Sequence, residues 1–453
     1  MNTISTQDLL ASVRADRDTI FTQLSELVSH NSAFREPGAE PTHKAAADWV
    51  ADHLAEAGLE INRITTADGS DTIIGTKAAN NGAPTVLLYS HYDVVPAGPR
   101  EAWTSGPFTL TERDGRWYGR GSADCKGNVA MHLAALRAVE KHGGTDCGIL
   151  AVIEGSEECG GEGLDTLIEE RPELFQADAI LIADTGNEAV GTPTLTTTLR
   201  GGAQLTVTAR TLKGAVHSGM FGGAAPDATA ALVRALSSMY DEHGRMRIDG
   251  VDTSATWTGA AYPEQTFRTD AGVLDGVETP IGEGATAADL IWARPSATIT
   301  GFTSTPVTEA VNAVPAVASA KVNLRVPTPM NTDEVAAKLA DHLHAHASFG
   351  LDLDIEIDDA NQPFATNTDG AVSTLLGQTL AESYGAEKPT FVGSGGSIPL
   401  TSALEKAVPG AQFALFGVEE PSSTIHSPNE SVDPTEIEHI AAAEAAFLMR
   451  FTR

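Results

Sequence analysis

Cysteine, positive charge and long apolar runs are all scarce in this 453-residue sequence. Its three cysteines, Cys125, Cys147 and Cys159, are odd in number and lack the close pairing of a structural zinc site. A disulfide framework is therefore excluded, and a reducing cytosol suits the free thiols. Lys and Arg number 29 against 61 Asp and Glu, a formal net charge of -32. Nucleic acid needs a basic footprint and anionic membranes attract one, so both are excluded as partners. No uninterrupted apolar stretch approaches the ~18 residues of a membrane span. The start, MNTISTQDLL, lacks the basic opening and apolar centre of a secretory signal. The expectation is a soluble, cytoplasmic protein, long enough for two or three domains.

What is present is an alternation of strand and helix patterns. Helical spacing runs through residues 7–29 and 42–57. Strand patterns follow at 60–65, 72–77 and 85–89, and Asp114-Gly115 marks a hairpin. Then come a helix at 127–142, a strand at 148–153, a helix at 164–169 and a strand at 179–183. Beyond residue 360 the alternation resumes, with a helix at 371–384, a strand at 412–416 and a closing helix after Pro434. This order implies an α/β fold with a mixed, largely parallel sheet and helices on both faces. Between the two stretches lies a different texture: strand 199–209, helix 224–239, strands 297–301 and 318–326, helix 332–347, strand 351–357. That β-α-β-β-α-β order is ferredoxin-like and reads as an inserted α+β domain. The expected division is 1–193 with 361–453, and 194–360 for the insertion. Residues 241–287 show no regular period.

In open α/β sheets, sites gather at the carboxyl ends of the strands. His91, Asp93, Glu157, Glu158 and Asp184 all fall at such ends. Glu157 and Glu158 leave the strand in ILAVIEGSEECGG, and adjacent residues of extended chain point to opposite sides. One carboxylate can then bind a cation while its neighbour handles a proton. His91 and Asp93, one residue apart, suit an imidazole ligand held by a carboxylate. Asp124 sits among glycines in GRGSADCKGN, and His426 follows a short β-like segment. Taken singly, each has an ordinary reading as a turn, cap or surface residue. Together, two histidines with several carboxylates suit zinc, cobalt or manganese, and exceed what one cation needs. Neither a phosphate-binding loop nor a nucleophile elbow is present, and Cys125 and Cys159 read as packing residues.

SHYDVVP, GRGSADCKGN, EGSEECGG, the Asp184 strand end and IHSPNE fall in the order and approximate spacing of the M20 metallopeptidases, which the chain resembles over nearly its whole length. The resemblance implies two Zn2+ per subunit, with Co2+ or Mn2+ as alternatives. His91 and Asp184 would hold one, Glu158 and His426 the other, and Asp124 would bridge them. Asp93 would orient His91, and Glu157 would be the general base. It implies a cis peptide after Asp124. In the insertion, expected to be a lid and dimerisation domain, His217 would stabilise the oxyanion, reaching a partner subunit in a homodimer. Asn312, Arg325, Gly396 and Ser397 would contact the substrate, Arg325 through its carboxylate. Asp rather than Glu at position 184 points to dipeptidases hydrolysing short peptides. Ser394, where an acidic residue is common, leaves open an N-acyl-amino-acid deacylase or carboxypeptidase, with an inactive metal-binding scaffold as the remaining class.

Overall fold

The computed structural model describes residues 4–452, so Met1 to Thr3 and Arg453, the outer ends of the expected first domain, lie outside the described residues. Internal contacts divide the chain into two compact units. The first comprises Met1–Thr197, Thr366–Val392 and Pro399–Arg453, the second Thr198–Ala365 and Gly393–Ile398. The segment Gly393–Ile398, which sequence texture groups with the first unit, belongs by its contacts to the second. Arg200 donates to the carbonyls of Gly396 and Gly395 at 3.1 and 3.2 Å, and a Cβ on Gly393 would press on Trp292.

The sheet of the first unit has four parallel central strands, in the order Gly148–Glu154, Thr85–His91, Ala179–Ala183 and Gln412–Phe416. Glu60–Thr65 and Asp71–Lys77 extend it antiparallel on one side, and Thr194–Leu199 on the other. Gly148–Glu154 and Ala179–Ala183 are buried at every residue, which explains their continuous apolar runs. Lys126–Lys141 and Pro434–Arg450 pack together, each buried around most of its circumference. Alanines at 130, 134, 135 and 138 face a second alanine run at 441–446, and small side chains let two helix axes approach closely. The single helical stretch expected over 7–29 is two helices, Thr6–Arg14 and Arg17–Ser29. Ala15 and Asp16 break it, and Asp16 binds Arg137 at 2.7 Å.

The first unit also carries a three-stranded sheet. Thr111–Arg113 and Arg116–Tyr118 turn at Asp114-Gly115, both at positive φ, as a two-residue hairpin of this twist requires. Ser431–Val432 pairs with the second of these strands and so ties the segment after His426 to the loop entering Asp124. Glu430 completes the tie. Fully buried, it accepts bonds from Arg120 at 2.6 Å and from the backbone amides of Gly121, Ala123 and Asp124 at 2.9–3.1 Å. Removing one partner of a buried pair strands the other's charge, at a cost of about 3–5 kcal/mol. Glu430→Ala should therefore lower stability by that order in denaturant unfolding; a change below ~1 kcal/mol would contradict this role.

The second unit carries a four-stranded antiparallel sheet in the order Ser296–Thr303, Val317–Val326, Gly201–Arg210, Asp354–Asn361. Ala228–Ser237 and Thr332–His346 supply its helices, giving the ferredoxin-like arrangement. The first helix starts four residues later than its spacing suggests, because Asp227 caps it by accepting from the Ala230 amide. Segment 241–287 is irregular apart from the short helix Glu264–Asp270. Among the described residues no helix is long and apolar enough to cross a membrane.

Candidate metal centre

Seven side chains singled out in the sequence converge within the first unit. His91, the last residue of strand Thr85–His91, is fully buried. Its Nδ1 lies 3.2 Å from Asp93 Oδ1, and its Nε2 lies 3.2 Å from both Asp124 Oδ1 and Asp184 Oδ1. Asp124 offers its other oxygen to His426, with Oδ2 at 3.0 Å from Nε2; Glu158 Oε2 is 3.1 Å from the same nitrogen. Asp124 thus stands between two imidazoles, one on each carboxylate oxygen. Glu157 Oε2 lies 3.9 Å from His91 Nε2, on the margin of the cluster.

The backbone explains how these groups are aimed. Glu157 and Glu158 do not lie on extended chain, as alternation would have it; they form one 3-10 turn, Glu157–Cys159. Asp93 is the reason. Its two oxygens accept from the Glu157 and Glu158 amides at 3.1 and 3.0 Å, folding the turn against the end of the neighbouring strand. One carboxylate therefore orients His91 and also fixes the acidic pair. The Asp124–Cys125 peptide is cis. Cys125 is buried, its Sγ 3.1 Å from the Ala183 carbonyl, whereas Cys159 is exposed and so is not the packing residue its neighbours suggest. His426 sits at φ 60 in a loop where Thr424 and Asn429 are also left-handed. The Asn429 side chain anchors that loop to the Thr104 amide and the Ala102 carbonyl at 2.8 and 3.0 Å.

Electrostatically the cluster is unbalanced. Asp93, Asp124, Glu157, Glu158, Asp184 and Glu419 surround two imidazoles. Arg120 is committed to Glu430, and Lys126 donates to the His30 carbonyl at 2.7 Å. Burial, then the charge of Asp184, pushes Glu157 well above the usual carboxylate range. Burial also lifts Glu158, to about 7, although the bond from His426 opposes it. His426 rises to about 10 through its bonds to Asp124 and Glu158. Asp124, despite burial, is held well below its ordinary value by bonds from His426 and His91. His91 Nε2 and Glu158 Oε1 are buried and make no hydrogen bond. Orphaned donors beside excess buried anion are what divalent cations would satisfy, and mixed imidazole and carboxylate donors suit zinc, cobalt or manganese. The residues fit such a pair of cations.

The second unit brings its own expected residues together in two places. The exposed His217 ends strand Val216–His217, whose partner strand begins at Ala313, and Ser218 N–H donates to the Asn312 carbonyl at 2.8 Å. Arg325 Nη1 lies 3.3 Å from Ser397 Oγ, and its Nε donates to Asn323 at 3.1 Å. Among the described residues no carboxylate pairs with Arg325. Gly396 accepts from Arg200 N–H, and its own amide donates to Ser394 Oγ at 3.1 Å.

Three contributors were not legible in the sequence: Glu430, Asn429 and Glu419. The first two lie inside the IHSPNE motif, so the signal was present without its partners. Glu419 lies in an acidic pair before Pro421, a context that reads as surface.

The sequence from residue 87 to 450 matches peptidase family M20/M25/M40. A cysteinylglycine-S-conjugate dipeptidase of Corynebacterium striatum is 55% identical over 437 residues, 96% of each chain. A Cys-Gly metallodipeptidase of Schizosaccharomyces pombe is 26% identical over 92% of each. In fold the chain resembles human carnosine dipeptidase 1, with a TM-score of 0.80, 22% identity and 98% of each chain covered. It also resembles an M20 family metallo-carboxypeptidase of Sulfolobus solfataricus, with a TM-score of 0.82, 21% identity, and 95% and 99% covered. Family match, a close relative over nearly the full length, and a shared fold lead to one conclusion: the chain belongs to peptidase family M20/M25/M40 and is an enzyme, a peptidase of that family.

Proposed function

We propose that this enzyme is a dinuclear metallodipeptidase that hydrolyses the amide bond of cysteinylglycine and its S-conjugates. The observation that carries the chemistry is Asp124, with one oxygen 3.2 Å from His91 and the other 3.0 Å from His426. The relative at 55% identity supports the substrate class. His91 and Asp184 would hold one Zn2+, Glu158 and His426 the other, and Asp124 both, with Co2+ or Mn2+ as substitutes. When bound, the cations polarise the scissile carbonyl and lower the pKa of water.

The remaining work falls to the chain itself. Asp93 holds His91 through Nδ1 and leaves Nε2 facing the cluster. Glu157, adjacent to the cluster and itself outside the ligand set, takes a proton from the attacking water and delivers it to the departing amine nitrogen. Burial favours this, because a carboxyl raised above its usual range holds a proton more readily between accepting it from water and releasing it to the amine. His217 donates to the carbonyl oxygen as negative charge develops there. Arg325, without a carboxylate of its own, pairs with the substrate's terminal carboxylate beside Ser397. Asn312 and Gly396 complete the substrate contacts.

The test is a hydrolysis panel. Metal-loaded enzyme should cleave Cys-Gly, S-benzyl-Cys-Gly and related dipeptides and leave N-acetyl amino acids intact. Turnover of the N-acyl compounds alone would instead make it a deacylase.

The second unit is the proposed dimer contact. Its edge strand Ser296–Thr303 exposes Ile299 and Phe302, and Val317 is exposed on the neighbouring strand. An uncovered sheet edge with apolar side chains invites pairing with a second copy. Sedimentation should give a dimer, and Phe302→Asp should shift it toward monomer. A fully active wild-type monomer would contradict both the dimer and a role for His217 in the partner's site.

A further inference from the structure

Glu419 is a buried carboxylate that the ligand set of the proposed centre does not use. It follows the central strand Gln412–Phe416, next to the chain that leaves Ala179–Ala183 through Asp184. A parallel bridge joins it to Gly186, and the Asn187 amide donates to its carbonyl at 2.8 Å. Gly186 leaves the necessary room: a Cβ there would lie 2.8 Å from the Glu419 carbonyl oxygen. The side chain is just as firmly held. Asn128 accepts from the Val418 amide at 3.0 Å through Oδ1, which fixes its orientation and directs Nδ2 to Glu419 Oε1 at 2.9 Å.

One oxygen each from Asp124, Asp184 and Glu419 lies within 4.8 Å of the others. Glu419 is 7% exposed, and among the described residues no Lys, Arg or His forms an ion pair with it. Asp124 and Asp184 share His91, and Asp124 also meets His426, but Glu419 has no such partner, and a buried carboxylate left unpaired costs several kcal/mol unless a cation neutralises it. His91 Nε2, buried and without a hydrogen bond, points into the same group beside Asp124 and Asp184. That orphaned nitrogen separates this cluster from an ordinary acidic patch.

We propose that Glu419 is a further carboxylate donor for the cation that His91, Asp124 and Asp184 would hold, and that it biases this position toward Mn2+ over Zn2+. The inference rests on the dinuclear reading above and adds to it. Three carboxylates and one imidazole make a harder donor set than the Asp124, Glu158 and His426 group on the other side. Oxygen-rich sites suit manganese, whereas fewer donors with more nitrogen suit zinc. Asn128 then acts as the partner that orients the added ligand.

The experiment compares metal uptake by the full chain, wild type against Glu419→Gln, which keeps the side chain's shape and the bond from Asn128. Metal-stripped proteins are titrated calorimetrically with Mn2+ and with Zn2+, and retained metal is counted by elemental analysis. Wild type should take up two cations per chain. Glu419→Gln should lose Mn2+ affinity at one of the two positions by about 10–100-fold, with a smaller loss for Zn2+. Glu419→Asp, which keeps the charge one methylene shorter, should fall between the two and serves if the glutamine variant does not fold. Unchanged affinities for both metals in the folded variants would overturn the role of Glu419 while leaving a two-cation wild type intact. A wild type that takes up no divalent cation would overturn the dinuclear reading, and this inference with it.

Discussion

Glu157→Gln should lower kcat on Cys-Gly by about 10²–10⁴-fold while the protein retains both cations. A thousandfold loss corresponds to about 4 kcal/mol of transition-state stabilisation. The two halves of this result come from different parts of the geometry. Glu157 stands 3.9 Å from His91 Nε2, farther than Asp124 or Asp184 at 3.2 Å, so removing its charge leaves the proposed ligands in place. Its backbone amide, which donates to Asp93, is also untouched. Glutamine preserves size and polarity but cannot accept and return a proton, so the loss should appear in kcat, with KM changed little. Loss of metal together with activity would show that Glu157 is a ligand and move the base elsewhere.

Asp124→Ala should lose cations from both positions. It removes the carboxylate that faces His91 with one oxygen and His426 with the other, leaving each imidazole with fewer anionic neighbours. The consequence for stability separates this from a simple catalytic lesion. A ligand that binds only the folded state at 1,000 times its Kd stabilises it by about 4 kcal/mol, so zinc should raise the wild-type melting temperature clearly. In Asp124→Ala that rise should largely vanish. The metal-free variant should itself melt below metal-free wild type, because His91 and His426 lose the carboxylate that pairs with both. Thermal scans of both proteins with and without zinc read all four values. An undiminished zinc-dependent rise in the variant would exclude Asp124 as a shared ligand.

Why was so much of this centre readable from sequence? Strands that are buried on both faces must be continuous apolar runs, so Gly148–Glu154 and Ala179–Ala183 announce themselves, and polar residues at their exits stand out. Glu157, Glu158 and Asp184 were visible for that reason, and His91 likewise at the end of the apolar strand Thr85–His91. Long-range partners carry no such signal. Glu430 closes the IHSPNE motif, but the residues it meets lie about 300 positions away in the loop 120–124, so the motif alone does not reveal its role. Glu419 is hidden in the same way, since its burial depends on Gly186 and Asn128, both distant in sequence. The turn at Glu157–Cys159 defeated the extended-chain reading because Asp93, not local propensity, dictates its shape. The segment Gly393–Ile398 joined the second unit through Arg200 and Trp292, contacts that glycine and serine texture cannot foretell.

The centre itself is tested most directly by anomalous diffraction from crystals grown with zinc. Two peaks per chain are expected on either side of Asp124, one about 2.0–2.2 Å from His91 Nε2 and an Asp184 oxygen, the other at the same range from His426 Nε2 and a Glu158 oxygen. A single peak, or two peaks that leave Asp124 bound to only one of them, would contradict the dinuclear account.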